Sequence, residues 1–171
     1  MIRFDHCVDE MTSPGERILA TDIELAASQE LVWQAWTTEA GVRSFFAPQC
    51  RIELKPGGAY EMYFNPQAPA GSRGGEGNTV MALDRPHMLS FSWNFPPGLP
   101  AIREQRTLVT IYLARPSTNA TRLRLMQTGW GESDEWVKGY EYFDHAWKSI
   151  VLPRLQHACT GAAMDWEEAQ K

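Results

Sequence analysis

The sequence predicts an α+β fold: a curved antiparallel sheet wrapped around one long C-terminal helix, with two short helices after the first strand. Three observations carry that expectation. Trp136, Tyr140, Phe143, Trp147, Ile150 and Val151 recur at helical spacing within Ser133–Cys159, so they share one face of a long helix. Six strand-like segments joined by turn residues fill the middle of the chain, the pattern of an antiparallel sheet. An apolar sheet face needs a cover, and the C-terminal helix is the only large one available.

Taken in order, residues 1–16 read as an N-terminal arm that ends near the turn Ser13-Pro14-Gly15. The arm leads into a strand over Arg17–Ala26, where Leu19, Thr21, Ile23 and Leu25 alternate with the intervening residues. Ser28 is placed to cap a short helix striped by Leu31, Val32, Ala35 and Trp36. Thr37-Thr38 breaks that helix, and a second follows from Glu39 to Phe46, before Pro48. The strands Cys50–Leu54 and Ala59–Phe64 flank the turn Lys55-Pro56-Gly57-Gly58. Asn65–Gly77 is rich in Gly, Pro and Ser and reads as a long mobile loop.

Thr79–Leu83 and Met88–Trp93 form the next hairpin, turning at Asp84-Arg85-Pro86. A proline-rich loop from Phe95 to Arg103 precedes the last strands, Thr107–Leu113 and Thr121–Gln127. In the long helix, Ser133 can cap the start, and Asp134 and Glu135 suit the positive end of the helix dipole. Pro153 removes the hydrogen bond to the Ser149 carbonyl, so a bend is expected at Ser149–Pro153. One domain is expected over residues 17–160, with a tail over 161–171.

Composition bounds the function. A length of 171 residues and 43% hydrophobic content suit one globular core, and seven Trp and seven Met favour a roomy, adaptable interior. A net charge of −5 disfavours nucleic acid and anionic membrane as partners. The three cysteines, Cys7, Cys50 and Cys159, are scattered and form no disulfide framework or Cys/His cluster, so neither a metal nor a cofactor is expected. Neither a signal-peptide pattern nor a membrane-length apolar run is visible, and the expected location is the cytoplasm.

Four stretches carry a family resemblance. "ELAASQELVWQAWTTEAGVRSFFAP" supplies a strand, the Ala27-Ser28 cap, Val32-Trp33, Ala35-Trp36-Thr37 and the pair Phe45-Phe46 before Ala47-Pro48. It resembles the opening of the activator-of-Hsp90-ATPase homologue 1-like family, within the START/Bet v 1-like (SRPBCC) superfamily. "LKPGGAYEMYF" is similar to that family's Gly-Gly hairpin, "VMALDRPHMLSFSW" to its next hairpin, and "ATRLRLMQTGW" to its penultimate element. The match covers about Arg17 to His157. Phe45 stands where the family usually has Trp, Ala146-Trp147 where it often has Gly-Trp, and both the Phe95–Arg106 loop and Pro153 depart from it. The resemblance implies a helix-grip fold whose ligand cavity lies between sheet and helix.

Few residues announce catalysis. His6, His87, His145 and His157 are not spaced as metal pairs, and His145 falls off the apolar stripe of the helix. Asp22, Glu24, Glu53 and Glu61 read as solvated strand faces, as do Arg122 and Arg124. No nucleophile elbow occurs, and the Gly71–Gly77 run lacks the residues of a phosphate loop. The candidate ligand-binding set is therefore the aromatic and sulfur-bearing inner surface: Tyr60, Met62, Phe64, Phe91, Trp93, Leu125, Gln127, Tyr140, Phe143 and Trp147. Of these, Tyr60, Gln127 and Tyr140 would supply the orienting polar contacts, and Gly139 would either let a ligand approach the helix or mark frayed helix.

The leading expectation is binding of a small, largely apolar molecule in that cavity. The alternatives are an enzyme of aromatase/cyclase or hydrolase type using the same space, and a chaperone-interaction module. A dedicated co-chaperone of this family would be expected to carry a further N-terminal module. The partners admitted are the small molecule and a second copy of the chain as a homodimer, with no nucleic acid and no membrane insertion.

Overall fold

A computed structural model describes residues 16–162 and 164–169. The expected N-terminal arm lies outside the described residues apart from Glu16, and His6 and Cys7 lie outside with it. The chain runs β1 (Leu19–Leu25), α1 (Gln29–Thr37), α2 (Glu39–Phe45), β2 (Gln49–Ile52), β3 (Tyr60–Tyr63), β4 (Gly74–Gly75), β5 (Val80–Asp84), β6 (Met88–Trp93), β7 (Thr107–Ser117) and β8 (Ala120–Thr128). There follow α3 (Asp134–Ala146), a π-helical turn (Trp147–Val151), α4 (Leu152–Ala158) and α5 (Trp166–Ala169), the last inside the segment expected as a tail.

The expected single sheet is divided in two. Five antiparallel strands run β1-β8-β7-β6-β5, and three run β2-β3-β4. The two meet at a bridge between Ala59 and Thr79, reinforced by Gly57 N–H to Val80 C=O (2.8 Å), Val80 N–H to Gly58 C=O (2.9 Å) and Tyr60 N–H to Asn78 C=O (2.8 Å). A register irregularity between Val80 and Ala82 bends β5 at this seam. Gly57 makes the adjoining turn with φ +78°, which a residue with a Cβ adopts only at a cost. On the outer face, the register sets Asp22 opposite Arg124, and the carboxylate accepts two guanidinium bonds at 2.8 and 3.1 Å.

The short helices form as their caps dictate. Ser28 Oγ accepts from Leu31 N–H (3.3 Å), and Thr38, which ends α1, starts α2 by accepting from Gly41 N–H (3.0 Å). They deliver Trp33, Trp36, Phe45 and Phe46 to the interior, each at most 2% exposed. Trp36 packs edge-on to Phe45 at 5.1 Å between ring centres, and Phe46 reaches Trp93 (5.6 Å) and Trp147 (5.7 Å). This cluster fills the space under β3 and β6 that alternation alone would leave open.

The long helix is real but not uniform. Ser133 occupies the N-cap position without a side-chain cap bond, and its carbonyl accepts from Trp136 and Val137 instead. The expected bend is absorbed by the π turn, in which Leu152 N–H bonds back to Trp147 C=O. One extra residue in that turn puts Pro153 in the first turn of α4, where a missing N–H costs little. Gly139 is buried, not frayed. A Cβ there would stand 2.4 Å from the Phe95 ring, so the absent side chain admits an aromatic ring of the protein itself.

Asn65–Gly77 is a hydrogen-bonded loop. The Glu76 carboxylate accepts from Gly71 N–H and Arg73 N–H, both at 2.8 Å, and β4 pairs with β3 through Met62 and Tyr63. Arg103 clamps this loop to the next: its guanidinium donates to Phe95 C=O and to Gly71 C=O (2.9 Å), with Glu76 at 3.6 Å. Among the described residues no helix is long and apolar enough to cross a membrane.

Candidate functional site

A cavity of about 660 Å³ opens between the C-terminal helix and the two loops that follow β3 and β6. That volume falls within the roughly 300–1,000 Å³ typical of small-molecule sites. Its floor is aromatic: Phe46, Trp93, Phe143 and Trp147. Phe143 and Trp147 lie near parallel, 26° between planes with centres 6.5 Å apart, and Trp93 meets Trp147 at 6.1 Å. Phe64, Tyr142 and Ile150, which are 41%, 49% and 37% exposed, form an apolar rim open to solvent.

The π turn contributes Trp147, Ile150 and Val151 to this wall. Arg154, in the first turn of α4, lines the same side. On the opposite wall stand Asn65, Ala68, Ser72, Arg73 and Gly74 from the loop after β3, and Asn94 to Pro97 from the loop after β6. A buried amide pair holds those walls together. Asn78 Nδ2 donates to Asn94 Oδ1 (2.9 Å), Asn94 N–H donates to Asn78 Oδ1 (3.0 Å), and Asn94 Nδ2 reaches Gly74 C=O (3.1 Å).

Of the sequence-predicted residues, the cavity gathers Phe64, Trp93, Phe143 and Trp147. Tyr60, Met62, Phe91 and Leu125 are fully buried in the packed core and do not reach it. Tyr60 packs against Phe91 with ring centres 4.5 Å apart and donates its hydroxyl to Trp36 C=O (2.7 Å), while burial pushes its phenol far above the ordinary range. Gln127 is equally buried: its Nε2 donates to Thr107 Oγ1 and its Oε1 accepts from Trp147 Nε1, both at 2.8 Å. Tyr140 donates to Ile18 C=O (3.3 Å) beneath the Arg17 guanidinium. The three side chains expected to orient a ligand thus spend their polar groups on the protein.

Sequence reading missed Phe46, Arg73, Asn94, Tyr142 and Arg154 as cavity residues. A signal existed for Arg154, which follows Ile150 by four and Trp147 by seven, continuing the helical stripe. Arg73 and Asn94 carried none, because loop residues have no periodicity to place them. Burial raises the Tyr142 phenol above its ordinary range and depresses the Arg154 guanidinium, which lies 5.3 Å over the Trp166 ring. The described residues hold no cluster of three or more His, Cys, Asp or Glu suited to a metal ion.

The fold is a helix-grip scaffold with a cavity on one side of its long helix. The chain belongs to the family described as activator of Hsp90 ATPase homolog 1-like protein, which it matches over residues 26–159. A protein from Mesorhizobium loti has the same fold at 18% identity, covering 86% of this chain and 100% of its own, with a TM-score of 0.66. An Hsp90 activator from Plasmodium falciparum is similar at 18% identity over 84% of this chain and 96% of its own, with a TM-score of 0.64. A putative protein of the dynemicin biosynthetic locus aligns at 18% identity over 85% of this chain and 48% of its own, with a TM-score of 0.62. A comparison with curated protein sequences returned no match.

Proposed function

We propose that this protein binds a small, largely apolar molecule in the cavity beside the π turn. The observation that carries the reading is an open space of about 660 Å³ floored by Phe46, Trp93, Phe143 and Trp147 and rimmed by the exposed Phe64, Tyr142 and Ile150. Leaving that apolar rim wet is costly, since burying apolar area is worth roughly 25 cal/mol per Å². Phe64, Trp93, Phe143 and Trp147 are the ligand contacts kept from the sequence-based set, joined by Phe46, Tyr142 and Ile150.

Binding is favoured over turnover by the composition of the wall. It carries no imidazole, carboxylate or thiol among the described residues, so general acid–base chemistry would have to come from the ligand or from Tyr142. Titration with phenylnaphthylamine, a neutral apolar fluorophore, tests the reading. Saturable enhancement with a raised melting temperature is the expected result. Absence of both, with the protein folded, would sink it.

A further inference from the structure

We propose that the ligand is an amphipathic carboxylate, its apolar body on the aromatic floor and its charged group held by Arg154. This rests on the binding reading above and adds the charge of the molecule bound. The first support is a bias in the wall. The chain carries 21 acidic against 16 basic residues, yet Arg73 and Arg154 line the cavity and no Asp or Glu does.

The second support is that these guanidiniums are unspent. Arg51, Arg85, Arg103 and Arg124 each have a carboxylate at 2.5–3.6 Å. Among the described residues neither Arg73 nor Arg154 has one. Arg73 uses its Nε on Ala68 C=O (3.2 Å). Arg154 has no hydrogen-bond partner among the described residues. It is held by the face of Trp166, whose Nε1 is itself anchored on Arg43 C=O (2.7 Å). Stacking occupies a face of the guanidinium and leaves its edge donors for a planar acceptor, the geometry a carboxylate matches with two parallel bonds. Burial depresses the Arg154 pKa with no carboxylate opposing it, so an incoming anion would relieve a desolvated cation.

An aromatic floor also attracts cations. Two guanidiniums on the wall would repel one, which decides the sign of the ligand's charge.

The test displaces bound phenylnaphthylamine from the full chain with matched pairs: dodecanoate against dodecanol, and naphthoate against naphthalenemethanol. The two pairs separate an aliphatic from an aromatic source of the same carboxylate. In at least one pair the acid should compete roughly tenfold or more better than the alcohol, the value of a charge-assisted hydrogen-bonded contact. Arg154→Gln should erase that gap, and Arg154→Lys should keep part of it. Equal competition by acid and alcohol in both pairs overturns the carboxylate assignment and leaves binding standing. A gap that survives Arg154→Gln overturns the role of Arg154. Failure of wild-type protein to bind phenylnaphthylamine removes the binding reading itself.

Discussion

The indole N–H of Trp147 donates to the side-chain carbonyl of Gln127 across 2.8 Å, with both side chains essentially inaccessible. This bond ties the π turn of the C-terminal helix to the end of β8 in the five-stranded sheet. Gln127 continues inward to Thr107 Oγ1, which in turn donates to Trp93 C=O (3.1 Å). The floor of the cavity is thereby fixed to the sheet by a chain of polar contacts, not by apolar packing alone.

Replacing Gln127 by Leu keeps the volume and removes both contacts. Trp147 Nε1 loses its buried acceptor and Thr107 Oγ1 loses a donor. An unfolding free energy lower by about 2–3 kcal/mol is expected in urea titrations, within the range for orphaned buried polar groups. A loss below about 0.5 kcal/mol would show that the network is not needed for stability.

Gly139→Ala sets two effects against each other. Ala is the better helix former by about 1 kcal/mol. The new methyl would stand 2.4 Å from the Phe95 ring and also meet Ile102 at 3.2 Å. Overpacking should win, for a net loss of about 1–3 kcal/mol. Pairing Gly139→Ala with Phe95→Leu should recover part of it in a double-mutant cycle. A stabilised single variant would mean that the ring moves aside freely.

Ile150→Trp places a large side chain at the mouth of the cavity. Ile150 is 37% exposed, so the change should leave stability within about 1 kcal/mol. Phenylnaphthylamine affinity should fall by about tenfold or more as the space fills. Unchanged affinity in a folded variant would place the bound probe elsewhere.

Cys50 reports on alkaline stability. Its thiol is pushed up to about 11, first by burial and then by the charge of Glu39, with Arg43 opposing. A pKa raised on folding means that the folded chain holds this proton more tightly than the unfolded one. The stabilisation is complete below the ordinary thiol pKa near 9 and is lost as pH rises toward 11. Denaturation midpoints should therefore fall over that interval, and fall less in Cys50→Ala. Identical curves for the two proteins would contradict the assignment.

Local chemistry in the sequence determined most of the element order. Alternation marked the strands, Ser28 marked a helix start, Thr37-Thr38 marked the break between the two short helices, and the aromatic spacing of Trp136 to Trp147 marked the long helix, because each signal depends on neighbours within a turn or two. Four of the cavity residues, Phe64, Trp93, Phe143 and Trp147, were legible as inward-facing aromatics. Tertiary structure alone decided which inward residues face a space and which face one another. Tyr60, Met62, Phe91 and Leu125 alternate just as correctly, yet Trp36, Phe45 and Phe46 arrive from α1 and α2 and fill their side. Arg73 and Asn94 sit on loops whose paths are set by Glu76, Arg103 and Asn78, partners that no periodicity announces. Strand and helix signals are short-range, whereas an open cavity is a residue of long-range packing: it exists where contributions from distant segments fail to meet.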